Sequence, residues 1–386
     1  MPEKIFIVSG GTGGHIIPAR CLAQFFAKNN YEVLFLGDEK YRSYIKENDQ
    51  FASKIISSSQ IKKSPIFLIK AALKILLGIF QSIYLFWKLK PKYVFAFGGY
   101  STFPALIAAI ITRTEIILHE QNAHLGKVNR IFAKFAKKIG LSFEKTSGIS
   151  SENLSKSFFV GNPVRDEILT LHEENYEIPM SKEPELRKDN KMGYNLILAS
   201  DFYEEQEAKN PFNILVIGGS GGAKIFSEIL PKAFFNLSEN LKEEIQVTQQ
   251  CRKELLQQTF DSYRSFNVNI VIDTFFENMS ELIKAAHLVI ARSGSSSIFE
   301  FCAAKKPMIL VPFALSADNH QEKNARYLEE NGAAILVEEK DFTINKINEL
   351  LNSLIGDKPT LKKMSENAGS LAILDATQNL AKLAND

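Results

Sequence analysis

Apolar positions in this chain fall in short β-rich runs, separated by stretches of helical period. In the first half the runs are Lys4–Val8, Glu32–Leu36, Tyr93–Phe97 and Glu115–Leu118. The second half restarts with Phe212–Ile217, followed by Ile270–Ile272, Leu288–Ile290, Met308–Val311 and Ala334–Val337. Strands that alternate with helices mark βα units wound into a parallel sheet. Each half also opens on the same phrase of strand, glycine-rich loop and helix. One copy is Ile5-Phe-Ile-Val-Ser-Gly-Gly-Thr-Gly-Gly-His and the other Ile214-Leu-Val-Ile-Gly-Gly-Ser-Gly-Gly-Ala. The repetition predicts an α/β protein of two similar nucleotide-binding domains facing one another.

Between the halves, from about Leu171 to Pro211, the sequence is polar, acidic and without sustained periodicity. It holds Pro179, Pro184 and the run Asp201-Phe-Tyr-Glu-Glu-Gln-Glu, and it reads as a long surface linker or insertion. The expected division is therefore a first domain over 1–165, a linker over 166–211 and a second domain over 212–360. The helical stretch from about 360 to 386 is a candidate to pack back on the first domain. A length of 386 residues exceeds what one hydrophobic core fills, and the apolar share of 45% is ordinary for a globular chain.

Charge adds a direction to this picture. Residues 1–165 hold 23 Lys or Arg against 10 Asp or Glu, and the remainder 23 against 34, so a basic half is followed by an acidic one. No acidic residue stands between Asp49 and Glu115. A basic half predicts an anionic partner, whether phosphate, nucleic acid or lipid surface, against the plainer reading of a solvated face. Within it, the run Ile75 to Trp87 is charge-free, flanked by Lys62, Lys63, Lys88, Lys90 and Lys92. The run is shorter than the roughly 20 residues that span a bilayer, and Lys70 and Lys74 interrupt a longer window. Residues 61–92 are therefore expected to rest on an anionic membrane surface and, in part, to pack on the sheet. Cys21, Cys251 and Cys302 lack any spacing suited to zinc or a disulfide framework, which fits a reducing cytoplasm. The apolar start runs straight into glycines, unlike a signal peptide.

Four loops could carry chemistry. Gly10-Gly-Thr12-Gly13-Gly14-His15 lies where a strand hands over to a helix, so its amides and the helix terminus favour an anion. No Gly-Lys-Ser/Thr follows, which excludes a P-loop. The dinucleotide fingerprint also fits poorly, because Gly37-Asp38 is a weak substitute for the acid that ends its second strand. His15 is the candidate general base, or else a structural hydrogen-bonder. Gly218-Gly-Ser220-Gly-Gly offers the same physics from the second half. After the strand Leu288–Ile290, Arg292-Ser-Gly-Ser295-Ser296-Ser297-Ile298-Phe299-Glu300 places hydroxyls at a helix start, for capping or for phosphate, and a carboxylate that could take the two hydroxyls of a ribose. His119-Glu120-Gln121-Asn122 ends another strand where open α/β sheets bind ligands.

Taken together these phrases resemble the MurG family. Gly-Gly-Thr-Gly-Gly-His at 10–15, Gly-Gly-Tyr-Ser at 98–101, His-Glu-Gln-Asn at 119–122 and Gly-Asn-Pro-Val-Arg at 161–165 stand in the family's order. Gly-Gly-Ser-Gly-Gly-Ala at 218–223, the Arg-Ser-Gly phrase ending in Glu300, and Asp-Asn-His-Gln-Glu-Lys-Asn-Ala at 318–325 complete the set. The 171–211 segment is longer than the family usually has there, a departure that touches no motif.

The resemblance implies a GT-B architecture, two Rossmann-like parallel-sheet domains facing across a cleft. It also implies metal-independent, inverting transfer of N-acetylglucosamine from UDP-N-acetylglucosamine to the 4-hydroxyl of undecaprenyl-pyrophosphoryl-muramoyl-pentapeptide, without a cofactor. The enzyme would be peripheral, on the cytoplasmic face of the bacterial inner membrane. By position, Thr12, Gly13, Gly14 and Asn122 would approach the donor from the first domain. Arg165, Ser220, Phe276 through its backbone, and Ser295, Ser296, Ser297, Ile298, Phe299 and Glu300 would hold the uridine diphosphate, and Gln321 would read the amino sugar. His15 would be the base, with Glu120 in reserve. The alternatives are another GT-B lipid glycosyltransferase, a UDP-sugar epimerase or a non-catalytic nucleotide-binding scaffold.

Overall fold

A computed structural model of the chain describes residues 2–60, 65–178, 211–219, 221–266 and 268–384. Most of the expected linker, together with Ser220, Lys62 and Lys63, lies outside them. The chain divides into two compact units. One comprises Met1–Asp166, Ser295–Glu300 and Ala372–Asp386, the other Glu167–Gly294 and Phe301–Leu371.

The first unit is built on a parallel sheet in the order β3-β2-β1-β4-β5-β6-β7. Its strands are β1 (Lys4–Val8), β2 (Glu32–Gly37), β3 (Ala52–Ile55), β4 (Tyr93–Ala96), β5 (Glu115–Glu120), β6 (Lys138–Leu141) and β7 (Ser157–Phe159). The middles of the inner strands are apolar on both faces because helices cover both sides of the sheet, and polar residues stand at the strand ends. One core lies on each side. Ile5, Ile7, Phe35 and Phe95 pack with helix α1 (Gly13–Lys28) and with Leu380, Ala381, Leu383 and Ala384 from the chain end. Phe6, Val8, Val94 and Leu118 pack with α2 (Pro65–Leu89) and α3 (Phe103–Thr112).

The second unit repeats the plan in six parallel strands, ordered β10-β9-β8-β11-β12-β13. They are β8 (Phe212–Ile217), β9 (Ile245–Gln250), β10 (Asn269–Asp273), β11 (Leu288–Ala291), β12 (Met308–Leu310) and β13 (Ala334–Leu336). In both sheets the winding reverses beside the first strand, with β1 between β2 and β4 and β8 between β9 and β11. Ligands of open α/β sheets bind outside the carboxyl ends of strands at such switch points. The loops singled out above leave β1, β4, β5, β8, β11 and β12 at those ends.

Helix α2 is longer than its charge-free run. By length and composition Leu68–Leu89 is long and apolar enough to cross a membrane, at a mean hydropathy of 1.6. One face of it is nonetheless buried in the first unit. Ala71, Gly78, Ser82, Leu85 and Phe86 form that face, and Gly78 lies so close to the Ser57 carbonyl that an added Cβ would overlap it. The opposite face exposes Leu73, Leu76, Leu77, Phe80, Tyr84 and Trp87 at helical spacing.

Candidate functional site

The loop after β1 is shaped by glycines and gripped from both sides. Thr12 is the N-cap of α1 in extended conformation, and its Oγ1 lies 2.9 Å from His15 Nδ1. Pro18, inside α1, has no amide to return to the Gly14 carbonyl four residues back. Ser296 Oγ donates to that carbonyl at 2.9 Å, within the same compact unit. Asp38, just past β2, accepts the Gly11 amide at 3.0 Å and the Tyr100 hydroxyl at 2.8 Å on one oxygen. Burial and the Asp38 carboxylate both push the Tyr100 phenol up, so it stays a donor.

At the end of β5, Glu120 is buried and its carboxylate is occupied by its own loop. The amide and Nδ2 of Asn122 donate to Oε1 at 3.1 and 3.0 Å, and the Gly126 amide and Asn129 Nδ2 donate to Oε2, each at 2.8 Å. Burial raises its carboxyl pKa while these four donors oppose the shift. A carboxylate so engaged holds residues 120–129 in place, with both oxygens taken up by its own loop. His119 is fully buried and burial lowers it to about 4, so it is neutral at pH 7. Its Nε2 donates to the Gly161 carbonyl at 3.1 Å and Nδ1 accepts Gln121 Nε2 at 3.0 Å.

The serine-rich helix Ser295–Ala303 has Ser295 and Ser296 buried and Ser297 half-buried at its start. Ile298 is fully buried and the Phe299 ring lies 4.9 Å from Phe143, so at these two positions the backbone alone is left for a ligand. Glu300 is not an empty acceptor. Arg165 Nε and Nη2 donate to its two oxygens at 2.6 and 2.9 Å, which couples two residues expected at the nucleotide.

In the second unit, Gln321 is oriented by its own loop. Its Oε1 accepts the Phe313 amide at 2.9 Å, and its carbonyl accepts Ser293 Oγ at 2.7 Å. Arg292 stands behind this loop. It donates to the Val311 and Pro312 carbonyls and to Glu339, which in turn takes the Ala314 amide. Its guanidinium lies 5.4 Å from the Phe226 and Phe313 ring centres. Phe276 is buried beside the exposed Phe275, consistent with backbone contact only.

The residues that bring these loops into shape, Asp38, Asn129 and Arg292, were not among the expected site residues. Asp38 carried a signal as an acid at the end of the second strand, and Arg292 as the head of the Arg-Ser-Gly phrase. Asn129 acts through tertiary approach, which local sequence does not display.

Residues 5–141 match the glycosyltransferase family 28 N-terminal domain and residues 213–383 the glycosyltransferase family 28 C-terminal domain. A Bartonella tribocorum protein named UDP-N-acetylglucosamine–N-acetylmuramyl-(pentapeptide) pyrophosphoryl-undecaprenol N-acetylglucosamine transferase is 33% identical over 383 residues, 99% of this chain and 93% of its own length. A Rickettsia africae protein of the same name is 35% identical over 367 residues, 95% of this chain and 94% of its own. The crystal structure of MurG from Acinetobacter baumannii superposes at a TM-score of 0.72 with 24% identity, covering 100% of this chain and 99% of the other.

Proposed function

The chain belongs to glycosyltransferase family 28, and within it to the MurG family, and from that premise we propose that it moves N-acetylglucosamine from UDP-N-acetylglucosamine to the 4-hydroxyl of a lipid-linked N-acetylmuramoyl-pentapeptide. It is a hexosyltransferase of peptidoglycan synthesis. The observation that carries this reading is the end-to-end match, above 30% identity, to transferases of that name.

The acceptor hydroxyl attacks the anomeric carbon from the side opposite the leaving UDP, so the configuration inverts and a β-1,4 linkage results. His15 takes the hydroxyl proton. The 2.9 Å contact with Thr12 supports this, since an Nδ1–H donated to Thr12 Oγ1 leaves Nε2 as the bare nitrogen. The Ser295–Ser297 hydroxyls and the terminus of their helix meet the charge that develops on the diphosphate. Glu300 binds the ribose with Arg165 beside it, and Gln321 reads the amino sugar. Glu120 positions Asn122 and leaves the proton transfer to His15.

The enzyme is peripheral to the bacterial membrane that carries its acceptor. Docking is through α2, whose outer stripe from Leu73 to Trp87 lies in the lipid headgroup region, at the cytoplasmic face. A pocket of about 330 Å³ at the end of that stripe supports an anionic surface as partner, because Lys90, Lys92 and Arg113 line it with Trp87. The test is acceptor-dependent turnover. UDP release from UDP-N-acetylglucosamine should require the lipid-linked muramoyl-pentapeptide, and release at the same rate without any acceptor would overturn the reading.

A further inference from the structure

The geometry points to Asp38 as the positioning residue of the first glycine loop, setting Thr12 and through it the ring of His15. This inference rests on the reading of His15 as the base. Strands β2 and β4 flank β1, so residues just past their carboxyl ends stand on either side of the loop that follows β1. Asp38 comes from the β2 side and Tyr100 from the β4 side, and they meet over the loop.

Asp38 is buried, at 3% exposure. Oδ2 takes the Gly11 amide at 3.0 Å and the Tyr100 hydroxyl at 2.8 Å, and Oδ1 takes the Tyr41 amide at 3.2 Å. The fit leaves no room for a side chain at Gly10 or Gly11. A Cβ on Gly10 would stand 2.7 Å from Asp38 Oδ1 and 2.8 Å from Ser101 Oγ. Gly11 has φ +83°, and a Cβ there would meet the Tyr100 ring at 3.3 Å. The next residue is Thr12, whose Oγ1 lies 2.9 Å from His15 Nδ1. The orientation of His15 is thus inherited from a turn that Asp38 fixes.

The same contact assigns the loop its chemistry. In dinucleotide-binding folds an acid at the end of the second strand faces a ribose and the glycine loop faces a pyrophosphate. Here the acid has turned inward and occupies the Gly11 amide that a phosphate would use. A buried carboxylate at that point also repels a phosphate. The loop therefore serves proton transfer rather than diphosphate binding.

The experiment uses the full chain carrying Asp38→Asn, Tyr100→Phe or His15→Ala, and Asp38→Asn combined with His15→Ala. It reads kcat, donor KM, UDP affinity and melting midpoint. An asparagine cannot accept all three donors, so the loop shifts, and misplacement near 1 Å costs about 10²-fold in rate. Asp38→Asn should lower kcat about 10- to 100-fold with donor KM and UDP affinity within about two-fold of the parent. In the His15→Ala background it should have no further effect. If Asp38→Asn does not fold, Tyr100→Phe carries the test, with a smaller fall in kcat at unchanged UDP affinity. Parental kcat in Asp38→Asn, an equal further loss in the His15→Ala background, or a parallel loss of UDP affinity each overturns the inference. Parental kcat in His15→Ala overturns the base assignment first and this inference with it.

Discussion

Replacing Glu300 by alanine tests the donor site at its most constrained side chain. The carboxylate is 5% exposed and held by two Arg165 donors at 2.6 and 2.9 Å. Hydrogen bonds to a charged group contribute roughly 1.5–3 kcal/mol. The ribose hydroxyls meet a carboxylate already partnered by Arg165 rather than a bare one, so the lower end applies. A loss of about 1.4–2 kcal/mol corresponds to UDP binding about 10- to 30-fold weaker. Arg165 keeps partial access to water, with its side chain 26% exposed, so Glu300→Ala should still fold. Glu300→Gln retains one acceptor and should lose less. Titration calorimetry with UDP at fixed ionic strength reads the difference directly. A Glu300→Ala protein that binds UDP within about two-fold of the parent would refute the ribose assignment.

His15→Ala should lower turnover by about 10²–10⁴-fold while UDP affinity, read by calorimetry, stays near the parental value. Replacing Leu73, Leu77, Phe80 and Trp87 by serine, or Lys88, Lys90 and Arg113 by glutamine, should weaken sedimentation with anionic vesicles. The lysine and arginine effect alone should vanish at high salt. His119 and His287 are both lowered to about 4 by burial. The unfolded chain therefore binds protons that the folded chain refuses, and stability should be full above about pH 6.5 and fall toward pH 4, by roughly 3 kcal/mol at most for each imidazole. Glu120, raised by burial, opposes this trend weakly, and His287→Asn should flatten the slope in denaturant melts. Gly78→Ala should cost about 1–3 kcal/mol of stability, because the new Cβ meets the Ser57 carbonyl.

The strands legible in the sequence are those buried on both faces, because helix cover makes them continuously apolar. β9 was missed for the opposite reason. Gln246, Thr248, Gln249 and Gln250 make it read as polar although every residue in it is buried. The fold accommodates them with hydrogen bonds, among them Tyr263 to Gln249 at 2.7 Å and Gln250 to the Thr274 carbonyl at 3.2 Å. β3 and β7 were missed because they are edge strands with little buried surface, and β6 because Lys138 and Gly140 interrupt its apolar run. Helix α2 hid its orientation, since it is apolar on both sides. Close approach to Ser57 and α3 buries its small residues, Ala71, Gly78 and Ser82, and turns large ones outward.

Of the site, the glycine loops and the serine helix were legible because close backbone approach demands particular residue types at particular spacings. The partners of Glu300, Glu120 and Asp38 were not, because each is supplied by a segment distant in sequence or by a turn whose path depends on packing.

The central claim is sugar transfer to a lipid-linked acceptor, and product analysis tests it most directly. The purified full chain is given UDP-N-acetylglucosamine labelled in the sugar, with undecaprenyl-pyrophosphoryl-muramoyl-pentapeptide in anionic vesicles. The label should move to the lipid fraction, with one equivalent of UDP released per sugar, and the new bond should show a β anomeric configuration at the muramoyl 4-hydroxyl. Label that stays in the aqueous fraction as an epimerised nucleotide sugar, or a product with retained configuration, would contradict the account.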